Sequence, residues 1–198
     1  MGGDDGYLLD NRQPQAGARF EALAALFDPS TFRHLRDIGV GSGWRCWEVG
    51  AGGMSVPRWL ADQVGGTGLV VATDIDTSWM TAAGAAIDQV RVLRHDVGAE
   101  DPPATDLDLV HARLVLTHVP HRDAALTSMI NALRPGGWIL IEEADPCLQP
   151  LICPDDHGAA QQLANRLRHG FQHLDNIAAG RLPDLATSPM VSAWGRKP

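Results

Sequence analysis

A glycine-rich turn preceded by an acidic residue is the feature that most constrains the fold of this chain. Residues 50–53 read Gly-Ala-Gly-Gly, follow an apolar run that contains Glu48, and precede a helix-like segment at 56–64. Glycines let the backbone turn sharply and approach a ligand closely, because they carry no side chain. The order strand, glycine turn, helix is the context in which such a string forms a nucleotide-cofactor site.

Two further apolar runs end in a carboxylate, at Asp74 and at Asp96, and two more runs of strand length follow. Strand-like and helix-like segments alternate five times, which predicts a doubly wound α/β fold with a mostly parallel sheet. The carboxyl ends of such strands face one crevice, where ligands bind. We therefore expect Glu48, Asp74 and Asp96 to line a crevice.

These elements together resemble a class I S-adenosylmethionine-dependent methyltransferase. The family pattern has an acid-x-Gly-x-Gly turn, an acid after the second strand and another after the third, and a Leu-Arg-Pro-Gly-Gly turn before the fifth. The chain has all of them, the last at residues 133–137. The resemblance covers roughly residues 7–145. It implies a Rossmann-like fold, methyl transfer and S-adenosylmethionine as the cofactor.

The resemblance also implies which residues hold the cofactor. Asp74 would accept hydrogen bonds from the ribose hydroxyls, and Asp96 would accept one from the adenine amino group. The glycine turn and Glu48 would hold the methionine part, with Arg113 near the methionyl end. The residues implied in this way are Tyr7, Arg19, Glu48, Gly50, Ala51, Gly52, Gly53, Asp74, Ile75, Asp96, Val97 and Arg113.

Two histidines in the loop after the fourth strand, His118 and His121, are candidates for a general base, since imidazole titrates near neutral pH. Helix packing or capping is the alternative use of both. His111 is expected to point into the sheet packing. At least one of the acids that end the fifth strand is expected to face the crevice; they are Glu142, Glu143 and Asp145.

Charge and composition favour a small-molecule substrate. The chain has 198 residues and a formal net charge of −8, without a cluster of Lys and Arg, so it matches nucleic-acid phosphates poorly. No apolar run reaches the roughly 18 residues of a membrane helix, and residues 1–5 do not resemble a signal peptide. The spacing of Cys147, Cys153 and His157 fits no standard zinc pattern. We therefore expect a cytoplasmic protein without a metal site.

The chain is expected to form a single domain, 1–198, in three parts: an amino-terminal helical cap (1–43), a cofactor-binding core (44–145) and a short carboxy-terminal part (146–198). Two helices are predicted before the core, the second starting with Asp28 as N-cap and Pro29 as first helical residue. Ser55 and Asp76 are predicted to cap the next two helices, the latter reaching about Ile87.

The carboxy-terminal part is short for the resembled family. It shows a helix at 156–178 and one strand at 190–194, where the family has a longer substrate region and a closing hairpin of two strands. The single strand would be an edge strand with unpaired backbone groups, which favours a homodimer through that edge.

Two other functions remain open at this stage. A nicotinamide-dependent oxidoreductase would need glycine at position 55, where the chain has Ser55. A cofactor-binding remnant without catalysis is compatible with the short carboxy-terminal part and with Met54, which stands where the family usually has glycine. The sequence does not decide whether the methyl acceptor is oxygen, nitrogen or carbon.

Overall fold

The computed structural model describes residues 16–144 and 190–198. The strands are β1 (Arg45–Val49), β2 (Leu69–Asp74), β3 (Val90–Arg94), β4 (Leu107–Arg113), β5 (Leu133–Ala144) and β6 (Met190–Arg196). The helices are α1 (Ala16–Ile38), α2 (Ser55–Val64), α3 (Thr81–Gly84) and α4 (Arg122–Ala132).

The six strands form one sheet in the order β3-β2-β1-β4-β5-β6. All neighbouring pairs are parallel except β5 and β6, which are antiparallel. The chain builds the sheet outward from β1 to β3, then returns to add β4 beside β1. The crevice of an open parallel sheet lies at such a reversal, beyond the carboxyl ends of the strands. The predicted Rossmann-like class with a mostly parallel sheet is confirmed.

The two faces of the sheet carry different helices. The face covered by α1, α2 and α3, here the α1 face, has a core that includes Leu35, Leu60 and Leu109. The opposite face, here the α4 face, packs Trp47 and Met129 together. Because side chains alternate along a strand, β1, β2, β4 and β5 contribute to both cores.

The prediction of two helices before the core is wrong, because α1 runs without interruption through Pro29. A proline within a helix removes one backbone donor and crowds the preceding turn, and burial of Leu35 on the α1 face opposes that cost. Asp28 does not cap a second helix, since its carboxylate binds Ser55 and Arg113.

The predicted caps of the next two helices are also wrong. Met54 occupies the N-cap position of α2, without a side-chain cap bond. Ser55 is the first residue of the helix, and its hydroxyl donates to Asp28. Asp76 accepts a hydrogen bond from the backbone N–H of Ser78, which makes a local turn rather than a helix start. The third helix therefore shrinks to the four residues of α3.

The last strand pairs with β5 as predicted and extends to Arg196, with Met190 opposite Ala144. Within 16–144 and 190–198, no strand pairs with the other edge of β6. The division of the domain at residues 43 and 145 stays a prediction. No helix in the described part of the chain is long and apolar enough to cross a membrane. The predicted features that lie outside the described residues are Tyr7, Asp145, Cys147, Cys153, His157 and the helix at 156–178.

Candidate functional site

The glycine turn after β1 adopts a conformation that only glycine takes easily. Gly50 and Gly52 have φ of +59° and +61°, in the left-handed region. A Cβ on Gly50 would lie 2.5 Å from Val115 Cγ2, and one on Gly52 would lie 2.6 Å from Phe20 Cε1. The turn is therefore closely covered by α1 on one side and by the segment after β4 on the other. Ala51 N donates to Thr73 O at 2.9 Å, which ties the turn to β2.

Asp74 joins the tip of β2 to the glycine turn. Its Oδ2 accepts from Gly52 N at 2.8 Å, and its Oδ1 accepts from Asp76 N at 3.1 Å. Burial raises the pKa of the Asp74 carboxyl, while these backbone donors act in the opposite direction. A carboxylate has about four lone-pair sites, so both oxygens keep acceptor capacity for a ligand.

The neighbouring acid, Asp96, follows β3. Its Oδ1 accepts from Gly98 N at 2.9 Å. Ile75 is half exposed beside Asp74, whereas Val97 is buried in the α4-face core. Asp74, Ile75 and Asp96 thus line the end of the crevice at β2 and β3, which we call the acidic end.

The other end of the crevice, at β1 and β4, is closed by α1, and we call it the closed end. Arg113 Nη1 donates to Asp28 Oδ1 at 2.9 Å and to Thr31 Oγ1 at 3.0 Å. The Asp28–Arg113 ion pair is mostly buried. Arg19 lies further along α1, with its guanidinium carbon 5.2 Å from the Phe20 ring centroid. Arg113 therefore anchors the helix whose Phe20 covers Gly52.

A buried network of charged groups lies beneath the closed end, between α1 and the sheet. His111 Nδ1 is 2.6 Å from Glu48 Oε2, and His111 Nε2 is 3.3 Å from Glu142 Oε2. His111 is fully buried, and both carboxylates are nearly so. Glu142 also accepts from Thr31 Oγ1 at 2.5 Å and from Ser192 Oγ at 3.1 Å. His34 Nδ1 lies 2.9 Å from its Oε1.

Electrostatics favour a charged imidazole in this network. Burial disfavours the imidazolium, but the carboxylates of Glu48 and Glu142 outweigh that cost and raise the pKa of His111 to about 9. Burial also raises the pKa of Glu142, but its hydrogen bonds and the charge on His111 prevail, and the pKa falls to about 2. At neutral pH one cation therefore lies between two carboxylates.

The segment after β4 is held in a strained conformation over the turn. Leu114 has φ of +59°, which costs a residue with a side chain about 1–2 kcal/mol. Its N–H donates to Glu142 O at 2.8 Å. Glu143 Oε1 accepts from Val115 N at 2.9 Å and from Leu116 N at 2.6 Å. These bonds place Val115 against Gly50. Strain of this kind is concentrated at functional sites.

The structure brings together most of the residues that the sequence indicated. Glu48, the glycine turn, Asp74 and Arg113 meet at the carboxyl ends of three adjacent strands. His118 and His121 are exposed, and the carbonyl of His121 accepts from Ala125 N in the first turn of α4.

The polar residues of α1 were missed. They are Asp28, Thr31 and His34, and their spacing of three residues is the signal that could have revealed them, because it places them on one helix face.

Comparison with known proteins agrees with this geometry. Residues 47–141 match the methyltransferase domain family. The chain is 31% identical over 117 residues to the ubiquinone/menaquinone biosynthesis C-methyltransferase UbiE of Nitrosospira multiformis, covering 57% of this chain and 48% of that protein. It is 32% identical over 121 residues to the UbiE of Laribacter hongkongensis, covering 59% and 50%. The chain thus spans about half the length of these relatives.

Solved structures show the same fold. A SAM-dependent methyltransferase from Aquifex aeolicus superposes with a TM-score of 0.59 at 17% identity, covering 90% of this chain and 97% of that one. Fold, glycine turn and strand-end acids define a class of S-adenosylmethionine-binding α/β proteins. The described part of the chain has the fold of class I S-adenosylmethionine-dependent methyltransferases, and residues 47–141 match the methyltransferase domain family.

Proposed function

We propose that this chain binds S-adenosylmethionine in the crevice and transfers its methyl group to a small organic molecule. The observation that carries the proposal is Asp74, whose buried carboxylate is bonded to Gly52 of the turn. Asp74 and the glycine turn are thus joined, and both oxygens of the Asp74 carboxylate can still accept hydrogen bonds from two vicinal hydroxyls. The residues therefore fit the ribose of the family's cofactor.

The remaining implied residues fit in order along the crevice. At the acidic end, Ile75 offers an exposed apolar surface for the adenine ring, and Asp96 offers an acceptor for its amino group. Val97 would support them from the core. At the closed end, the backbone of residues 50–53 would face the methionine part, with Glu48 and Arg113 beneath it. Tyr7 and Arg19 stay proposed contacts of the same part.

The cofactor supplies a methyl group that its positive sulfonium makes electrophilic. The chain then has to align the acceptor and exclude water, and alignment alone is worth several powers of ten in rate. Phe20 and Val115 cover the turn from two sides, and the Arg113–Asp28 pair holds α1 in place. The proton that the oxygen, nitrogen or carbon of the acceptor loses on methylation would pass to His118, His121 or water.

Two observations support a narrower acceptor class. A net charge of −8 disfavours polyanionic substrates. The similar proteins of Nitrosospira multiformis and Laribacter hongkongensis are named as C-methyltransferases, which supports an activated carbon acceptor over oxygen or nitrogen. The proposal is therefore C-methylation of a small, electron-rich molecule.

Binding of the cofactor without turnover is the second candidate. Its basis is the short carboxy-terminal part at 146–198, where the resembled family has a longer substrate region. The oxidoreductase alternative has no support, since position 55 is serine and the matched family is a methyltransferase domain.

Turnover with methyl-labelled S-adenosylmethionine tests the proposal. The chain is incubated with a panel of phenols, enols and amines, and both S-adenosylhomocysteine and labelled product are measured. We expect labelled product from at least one carbon acceptor, and a loss of label in Asp74→Ala. Binding of S-adenosylhomocysteine without transfer to any acceptor class would leave the second candidate as the function.

A further inference from the structure

The buried network that contains His111 touches both walls of the crevice, and cofactor contacts alone do not explain it. One wall is the glycine turn, which follows Glu48 by two residues. The other is α1, whose Thr31 and His34 bind Glu142. His111 lies between the two carboxylates, at 2.6 Å and 3.3 Å. His111 therefore connects Glu48, next to the glycine turn, with Glu142, which binds α1.

We propose that His111 is a positioning residue that fixes the glycine turn and helix α1 relative to each other through Glu48 and Glu142. The inference rests on the proposed cofactor site for its effect on binding. It concerns how the walls are held, and His111 itself need not touch the ligand.

The positioning role requires His111 to be protonated, because it lies between two carboxylates. Two carboxylates that are almost fully buried repel each other and are costly to desolvate. An imidazolium donates one N–H to each and removes the repulsion, whereas a neutral imidazole can donate to only one. Loss of the proton would therefore release one carboxylate. If the released carboxylate is that of Glu142, the contact between the sheet and α1 would loosen.

Among the described residues around Glu48 and Glu142, no other side chain contacts both carboxylates. On the α1 face, Arg113 is paired with Asp28, and His34 binds the far oxygen of Glu142 and stacks on Trp194, with centroids 5.4 Å apart. β6 contributes the Ser192 hydroxyl to Glu142. Among the described contacts of Glu48 and Glu142, His111 alone bridges the two.

Two variants separate this role from a general loss of packing. His111→Gln leaves two buried carboxylates without a cation and is expected to destabilise the fold. His111→Gln/Glu142→Gln keeps the net charge of the network, so it stays folded while the cationic bridge is lost. Arg134→Gln is the matched control, because it removes a cation from Asp108 near the start of the same strand, β4, away from the crevice.

The test has two arms that need no turnover. In the apoprotein, we expect imidazole ¹⁵N NMR to show both nitrogens of His111 protonated at pH 7.5, and we expect hydrogen exchange in α1 to rise in the double variant but not in Arg134→Gln. In the second arm, calorimetry with S-adenosylhomocysteine is expected to show about tenfold weaker binding by the double variant at pH 7.5. That ratio should fall to one or below above pH 9, because the natural protein then also lacks the imidazolium that bridges the two carboxylates.

The ratio of the two affinities, natural protein to double variant, is independent of the titration of the ligand's own amino group, because both proteins bind the same ligand. A ratio that stays constant from pH 7 to 10, a neutral His111 at pH 7.5, or unchanged exchange in α1 would each overturn the positioning role. If the natural protein bound no S-adenosylhomocysteine, the proposed function would fail, and the apoprotein arm would still decide the role of His111.

Discussion

The two ends of the crevice use acidic residues in opposite ways. At the acidic end, Asp74 keeps acceptor capacity on both oxygens and lies beside the half-exposed Ile75. At the closed end, Glu48 is buried and its carboxylate is bound by His111. Both are strand-end acids, and sequence alone gives them similar roles. The difference is that the Asp74 carboxylate accepts only from backbone N–H groups and keeps capacity for a ligand, whereas the Glu48 carboxylate binds a side chain of the protein itself.

A larger side chain at the glycine turn should damage the closed end most. Gly50→Val would place a β-branched residue at φ +59° and against Val115. Left-handed strain and overpacking together would destabilise the native conformation of the turn by about 2–5 kcal/mol. Because the turn is proposed to face the ligand, we expect calorimetry to detect little or no binding of S-adenosylhomocysteine. Gly66→Val is the control, because a Cβ there meets nothing within 4 Å. Equal affinity in both variants would mean that the turn does not contact the ligand.

The closed end should also give the protein a distinctive loss of stability at alkaline pH. The pKa of His111 is about 9 when folded, against an ordinary value of 6.5. The folded state therefore binds more protons between these values, and stability falls as pH rises from 6.5 to 9. The linked change is about 3 kcal/mol. Urea unfolding at several pH values measures it, with His111→Gln/Glu142→Gln as the reference. Parallel curves for the two proteins would contradict a charged His111.

At the acidic end, removal of the carboxylate should weaken binding and spare the fold. Asp74→Ala leaves ligand hydroxyls unpaired at a cost of about 1–3 kcal/mol, or roughly 5- to 150-fold in affinity. Calorimetry with S-adenosylhomocysteine measures the change. Asp123→Ala, at an exposed position of α4, serves as the control. If a folded Asp74→Ala bound as tightly as the control, Asp74 would be removed from the site.

The smallest expected effect concerns β6, which lies outside both ends. Val191 is exposed on this strand, and no described strand pairs with its outer edge. We predict a weak homodimer through that edge, as unpaired strands favour. Val191→Lys should raise the dimer dissociation constant about tenfold, close to 1.4 kcal/mol, in sedimentation velocity. Ala124→Lys adds the same charge on α4 as a control. A natural chain that stays monomeric at high concentration would contradict the prediction.

The acidic end was predictable because its signals are local. Asp74 follows a continuous apolar run directly, so its place at a strand tip can be read from neighbouring residues. The network at the closed end was not predictable, since His111 is 63 residues from Glu48 and 31 from Glu142. Only the sheet register, in which Glu48 lies opposite His111, brings them together.

The amino-terminal helix shows the same limit of local signals. Asp28 followed by Pro29 is a strong helix-start pattern, yet α1 passes through it because tertiary contacts decide the conformation there. Arg113 and Ser55 bind the Asp28 carboxylate, and both belong to elements that follow later in the chain. A local pattern cannot include partners that the fold supplies.

Calorimetry of the natural chain with S-adenosylhomocysteine and, separately, with NAD tests the central claim most directly. The claim is that Asp74 and the glycine turn form a site for the methyl donor of this family. We predict micromolar binding of S-adenosylhomocysteine and no comparable binding of NAD. Tight binding of NAD with no response to S-adenosylhomocysteine would contradict the claim.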